Sequence, residues 1–217
     1  MEKYFVVQNL NLVVQNTKII EDLNFNISSS VCLLGESGSG KSLLLKSLLK
    51  TKKYETNGTV SFYLGEKKPF NYLPGDYDKD TYEFLSRFFS KEDDYKYALW
   101  QKIKDFPDFL FCEELHLDEK DFLLFLDFLK NKNIKIFYVT HDVEQTLYFE
   151  YLYVLKNGKI AIEGKTQAVL KEEKIMKRLG FSLPFYINLS KQLGYYGLSH
   201  QICTNKEELE ESLWPSI

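Results

Sequence analysis

An eight-residue stretch, GESGSGKS at positions 35–42, constrains this chain more than any other part of its sequence. It follows a short apolar run at 31–34, whose lack of alternation predicts a strand buried on both faces of a sheet. Leucines at helical spacing follow it and predict a helix over 42–50. The stretch matches G-x-x-x-x-G-K-[ST] at every fixed position, so it predicts a phosphate-binding loop between a buried strand and a helix.

The chemistry of phosphate explains this spacing. Phosphate oxygens are bound by converging main-chain N–H groups, and glycines leave room for that approach. Lys41 brings a positive charge to the outer phosphates, and Ser42 offers a hydroxyl to Mg²⁺. A nucleotide is therefore the expected ligand. The residues expected to contact it are Gly35, Glu36, Ser37, Gly38, Ser39, Gly40, Lys41, Ser42 and Leu43.

A pair of glutamates ends a second predicted strand, in the stretch PDFLFCEE at 107–114. A loop that binds a nucleotide with its metal needs an acid for the metal and a base for water. Glu113 is expected to hold Mg²⁺ through water, and Glu114 to polarise the attacking water. Two acids at a strand end are otherwise an ordinary solvated pair, and the phosphate-binding loop is what favours the catalytic interpretation.

His141 follows a third buried strand, predicted over 134–139. At the carboxyl end of a parallel strand it is expected to reach the γ-phosphate and to take part in catalysis. A lone loop histidine is otherwise an inert surface group. His116 and His200 lack that context and are expected to be surface or packing residues.

The remaining pattern predicts an α/β fold in which strands alternate with helices around a mainly parallel sheet. Segments at the start are expected to form an added antiparallel layer, with a turn at Asn57-Gly58 and turn-rich sequence over 65–80. Predicted strands are 4–7, 11–14, 19–27, 59–64 and 109–112, with a hairpin of 151–155 and 159–162. Predicted helices are 81–89, 94–104, 122–130, 143–149 and several short ones from 166 to the end.

Composition limits the classes of partner and environment. A net charge of −3 and a pI of about 5.7 argue against nucleic acid as a partner, because phosphate-backbone binding shows as a basic patch. No apolar stretch approaches the about 18 residues of a membrane span, and the start has no signal pattern. The three cysteines show no disulfide or metal spacing, which fits a reducing cytosol, and Cys32 and Cys112 are expected to be buried.

The order of these motifs resembles that of the ATP-binding subunits of ABC transporters. GESGSGKS is similar to their Walker A, PDFLFCEE to their Walker B with the catalytic glutamate, and YVTHD to their histidine switch. The tail containing LGFSLPF resembles the C-terminal appendage of the ATPases of energy-coupling-factor transporters, which import vitamins and metal ions. The resemblance implies a P-loop NTPase fold, ATP and Mg²⁺ as cofactors, ATP hydrolysis, an integral membrane partner and a cytoplasmic position on the inner face of the cell membrane. It divides the chain into an ATP-binding domain, 1–165, and a helical appendage, 166–217.

The chain also departs from that family. Glu113 stands where the family has aspartate, and Gly75 where it has the Q-loop glutamine. The place of the LSGGQ signature is taken by FSKED at 89–93, and the helical subdomain is reduced to about 76–104, its part before the signature to about 76–88. A poor signature favours a heterodimer with a second ABC ATPase whose signature is intact, and the other expected partner is a second copy of this chain. The alternative is an ATP-sensing binding protein that hydrolyses poorly.

Overall fold

Two β-sheets and six α-helices make up the fold in this computed structural model, which describes residues 4–48, 55–63, 70–73, 108–115 and 118–214. The strands are β1 (Tyr4–Val14), β2 (Thr17–Ile27), β3 (Val31–Gly35), β4 (Glu55–Tyr63), β5 (Phe70–Leu73), β6 (Phe109–Glu113), β7 (Lys135–Thr140), β8 (Tyr151–Lys156) and β9 (Lys159–Lys165). The helices are α1 (Lys41–Leu48), α2 (Glu119–Asn131), α3 (Thr166–Lys171), α4 (Glu173–Arg178), α5 (Phe185–Tyr195) and α6 (Lys206–Leu213), with a 3₁₀ helix over Glu144–Tyr148.

The smaller sheet is antiparallel, in the order β2-β1-β4, and confirms the predicted N-terminal layer. Two predictions within it are wrong. The segments 4–7 and 11–14 form one strand, because Asn9 adopts φ +50° and bends β1 at a bulge without ending it. Asn57-Gly58 is not a turn but lies inside β4, opposite that bulge, where the main chain of Asn9 packs directly against Gly58.

The larger sheet has the order β5-β6-β7-β3-β8-β9, and only β9 runs antiparallel to its neighbour. This confirms the predicted mainly parallel core. Residues 70–73, predicted to be turn-rich, instead form β5, whose main chain pairs with β6 from Phe70↔Phe109 to Leu73↔Cys112. An edge strand needs hydrogen bonds along one side only, so a four-residue segment between turn-forming residues suffices.

Both faces of the parallel sheet are buried. Alternate residues of β3 point to opposite faces, Val31 and Leu33 to one and Cys32 and Leu34 to the other. The first face packs against the antiparallel sheet, where the ring of Phe5 lies 5.3 Å from that of Phe109. Burial on both faces is what the absence of alternation predicted.

The opposite face packs against α2 and the C-terminal helices. Met176, Phe181, Leu183 and Ile187 share one apolar cluster with the sheet. The predicted boundary between residues 165 and 166 therefore separates segments that share a core, and it stays a prediction. The proposed helical subdomain, 76–104, lies outside the described residues. None of the helices in the described ranges is long and apolar enough to cross a membrane.

Candidate nucleotide site

The phosphate-binding loop joins β3 to α1, as its motif predicted. Gly35 is the last residue of β3, and Leu44 N donates the first helical bond to Gly40 O at 2.8 Å. The N–H groups of the first helical turn have no partner inside the helix, so they are available to an anion. Gly40 adopts φ +96°, and a Cβ there would lie 2.8 Å from Cγ2 of Ile19, so the loop lies directly on β2.

Lys41 folds back across this loop. Its Nζ donates to Gly35 O at 2.6 Å, to Glu36 O at 2.7 Å and to Ser39 Oγ at 3.3 Å. The ammonium thus lies against two main-chain carbonyls and one serine hydroxyl of the loop. Phosphate oxygens arriving at the loop would meet that cation.

The charge of Lys41 is set by two opposing effects. Burial lowers the pKa of its ammonium from the ordinary value. Nearby carboxylates act in the opposite direction, and these are Glu114, Glu113 and Glu36. The structure thus brings the loop lysine and both predicted acids into one electrostatic neighbourhood.

Glu113 and Ser42 are the predicted metal ligands. Glu113 is half-buried at the carboxyl end of β6, and Ser42 is exposed at the start of α1. The described residues include no group of three or more His, Cys, Asp or Glu that could hold a metal by themselves. A hydroxyl and one carboxylate do fit Mg²⁺, which keeps several waters and is completed by phosphate oxygens. The donor set therefore fits a metal that arrives with a nucleotide.

The two predicted catalytic residues are in direct contact. His141 Nδ1 lies 2.6 Å from Oε2 of Glu114, and the main-chain N–H of His141 donates to the same oxygen at 3.2 Å. The Glu114 side chain is 19% exposed and that of His141 59%, so the histidine forms the outer wall of the pair. Because β7 lies between β6 and β3, both residues stand beside the phosphate-binding loop.

Sequence reasoning missed the groups behind Glu114. Thr140 Oγ1 lies 3.1 Å from Oε2 of Glu114 and 2.8 Å from Oε1 of Gln145, and Tyr138 OH donates to that same amide oxygen at 2.9 Å. Burial raises the pKa of Tyr138, which keeps its hydrogen on the phenol. Gln145 follows His141 by four residues, but no pattern in the sequence distinguishes it from a surface glutamine.

Glu36 differs from the other loop residues in where its side chain goes. Its carboxylate pairs with Lys156 at the end of β8, and Lys156 Nζ also donates to Leu179 O at 3.2 Å. A Cβ on Gly180 would lie 2.0 Å from Oε1 of Glu36. The acid side chain is therefore held by the C-terminal segment, and the main chain of Glu36 is what it offers to a nucleotide.

Leu43 is the last residue predicted to contact the nucleotide. The Leu43 side chain packs against the core beneath the antiparallel sheet, so only its main chain is available to a ligand. His200 is exposed, as predicted. The segment 89–93, Gly75 and His116 lie outside the described residues.

Comparisons with solved structures identify the fold. One is cbiO1 from Clostridium perfringens, part of the ABC transporter complex cbiONQ, with a TM-score of 0.65 at 17% identity over 91% of this chain and 99% of that one. Another is a bacterial Atm1-family ABC exporter with ATP bound, with a TM-score of 0.64 at 15% identity over 83% of this chain and 42% of that one. The chain has the fold of an ABC ATPase.

Similarity in sequence indicates a smaller group of proteins than the fold does. The energy-coupling factor transporter ATP-binding protein EcfA of Malacoplasma penetrans is 30% identical over 86 residues, which is 39% of this chain and 30% of that protein. The match thus covers less than a third of the length of the EcfA protein. No family model matches the chain. The expected resemblance to the ATP-binding proteins of energy-coupling-factor transporters is confirmed.

Proposed function

We propose that this chain binds and hydrolyses MgATP as an ATPase subunit that powers a membrane transporter of the energy-coupling-factor type. The observation that carries the proposal is the contact between Glu114 and His141. It lies near Lys41, at the edge of the sheet where β3 leads into the phosphate-binding loop. The partial similarity to EcfA proteins supports the choice among ABC ATPases.

Each residue at this edge has a distinct role in the proposal. Lys41 and the N–H groups at the start of α1 bind the phosphates, while Ser42 and Glu113 hold Mg²⁺, which supplies charge neutralisation when bound. Glu114 orients a water for in-line attack on the γ-phosphorus and takes its proton, while the bond from that phosphorus to the leaving oxygen of ADP breaks. His141 holds Glu114 in place through its ring and its N–H, and its exposed ring is available to the γ-phosphate.

The assembly follows from the sequence of the signature region. FSKED at 89–93 contains no glycine and two acids, so it is unsuited to closing over a triphosphate on an opposite chain. A second ABC ATPase with an intact signature would complete the site at Lys41, Glu114 and His141. An integral membrane subunit would then place the pair on the cytoplasmic face of the membrane, and a vitamin or a metal ion is the proposed cargo.

Purification of the tagged full-length chain in mild detergent with MgATP tests this function. We expect a membrane protein and a second ATPase to accompany the chain, and the complex to hydrolyse ATP faster than the chain alone. Recovery of the chain alone from the soluble fraction, with no partner in the membrane fraction, would contradict the transporter assignment.

The second candidate is an ATP-responsive binding protein with negligible turnover. Two sequence features favour it: the glycine-free segment at 89–93, and Glu113, one methylene longer than the expected aspartate. The same preparation separates the two functions. ATP binding without turnover, whether or not another ATPase is present, would favour the binding protein.

A further inference from the structure

The hydrogen bonds behind Glu114 converge on one side chain. Gln145 Oε1 accepts from Tyr138 OH at 2.9 Å and lies 2.8 Å from Thr140 Oγ1. Tyr138 and Thr140 are 0% and 1% exposed, so neither hydroxyl can exchange this partner for bulk water. A buried hydroxyl without a partner is unfavourable, and this makes Gln145 the natural anchor of both.

The hydrogens in this network can be assigned by counting donors and acceptors. The Leu115 N–H donates to Tyr138 OH at 3.1 Å, so the phenol oxygen is already an acceptor. The phenol hydrogen then needs an acceptor, and the Gln145 amide must present its oxygen rather than its nitrogen. The same oxygen consequently faces Thr140.

Thr140 has one hydrogen and two acceptors within reach. Its oxygen accepts from Asp142 N at 3.0 Å, while Gln145 Oε1 and Glu114 Oε2 stand at 2.8 and 3.1 Å. The two acceptors share this one hydrogen, and Gln145 Oε1 is the closer of the two. Glu114 therefore receives only part of the hydrogen bond from Thr140. Without the amide oxygen, the hydrogen would go entirely to Glu114 Oε2, where it would compete with the His141 N–H for the same acceptor.

We infer that Gln145 is a positioning residue for Glu114. Through Tyr138 it fixes Leu115, the residue that follows Glu114, and through Thr140 it sets how firmly the carboxylate is held. The kinetic consequence rests on the proposed ATPase function, whereas the structural consequence rests on these contacts alone.

The test variant is Gln145→Met, which keeps the length of the side chain and removes the acceptor. Gln145→Glu keeps an oxygen at the same reach and serves as the conservative rescue. Gln167→Met makes the same change at an exposed glutamine of α3 and controls for the substitution itself. Thr140→Val, alone and with Gln145→Met, asks whether Gln145 acts through the threonine.

Turnover and substrate binding separate positioning from simple loss of structure. In the purified complex, Gln145→Met is expected to lower kcat at least about tenfold while KM for MgATP changes less than about twofold, since a misplaced base slows chemistry rather than binding. Gln145→Glu should recover most of kcat, and Gln167→Met should match the wild type. The double variant should lose less kcat than the two single losses combined, because the route through Thr140 is common to both substitutions and only the route through Tyr138 remains.

An NMR measurement on the purified full-length chain decides the structural claim without any turnover. The His141 amide donates to Glu114, so its proton resonance should move upfield in Gln145→Met and return in Gln145→Glu. In a Glu114→Ala background, Gln145→Met should leave that resonance where it is. If the wild-type complex hydrolyses no ATP, the proposed function fails and this measurement still decides the inference.

Any of three results would overturn the positioning role. One is a His141 amide that does not respond to Gln145→Met. The second is a loss of kcat that adds fully to that of Thr140→Val, and the third is an equal loss of kcat in Gln167→Met.

Discussion

The residue on which the site's charges converge is Lys41. Its ammonium donates hydrogen bonds to the carbonyls of Gly35 and Glu36, and the carboxylates of Glu113 and Glu114 favour its charged form. Phosphate oxygens offer stronger acceptors than neutral carbonyls, so a bound nucleotide would draw the ammonium from the loop to itself.

Lys41→Met should therefore weaken ATP binding about 10- to 100-fold, the size of one lost charge-assisted contact. Isothermal calorimetry with ATP measures this directly. Lys46→Met removes a positive charge from the last turn of the same helix, away from its loop end, and should bind within about twofold of the wild type. Equal affinity in Lys41→Met and the wild type would remove Lys41 from the site.

The metal role of Glu113 is tested by comparing ATP affinity with Mg²⁺ and with EDTA. If Glu113 helps to hold the metal, the wild type gains affinity from Mg²⁺ and Glu113→Gln loses most of that gain, while binding in EDTA stays within about twofold. A gain from Mg²⁺ that survives the substitution would assign the metal to Ser42 and the phosphates alone.

At the scale of elements, the C-terminal segment reaches the phosphate-binding loop. Helix α4 ends at Arg178; just beyond it, Gly180 takes φ +93° and Phe181 N donates to Met176 O at 2.9 Å. This is a left-handed helix end of the kind glycine favours. The carboxylate of Glu36, a residue of the phosphate-binding loop, lies where a Cβ of residue 180 would be.

Gly180→Ala should lower the free energy of unfolding by about 1–2 kcal/mol and also weaken ATP binding, because the new methyl displaces Glu36. Gly197→Ala is the matched control. Gly197 has φ +70°, but a Cβ there meets nothing within 4 Å, so it carries the backbone cost alone. Urea unfolding and ATP calorimetry of both variants isolate the contact with Glu36. Equal ATP affinity in the two would show that the appendage does not influence the loop.

The same scale shows what the sequence could predict. Alternation and apolar runs predicted most strands. Glu114 and His141 each follow a parallel strand, so they could be expected at the same edge of the sheet. Asn9 and Asn57 were misassigned because a local bend leaves the pairing of a long strand intact. Gln145 could not be predicted, since its role depends on a 3₁₀ turn that returns beneath Thr140, and that is a tertiary contact.

For the whole molecule, the three cysteines report on cooperative unfolding. Cys32, Cys112 and Cys203 are each 0% exposed, and burial raises the thiol pKa of the first two. A cysteine attacks a disulfide reagent as its thiolate and releases the reagent's own thiolate, so all three should react only in denaturant. Absorbance of the released thiolate follows this reaction. Rapid labelling of Cys32 or Cys112 in buffer would contradict the packed core on the helical face of the sheet.

The most direct test of the central claim is ATP turnover by the purified complex carrying Glu114→Gln, with ATP binding measured on the same samples. We expect binding within about twofold of the wild type and turnover at least about a hundredfold lower, because the variant keeps the shape of Glu114 and removes its ability to take a proton. Unchanged turnover would show that Glu114 is not the catalytic base and that the contact with His141 serves another purpose.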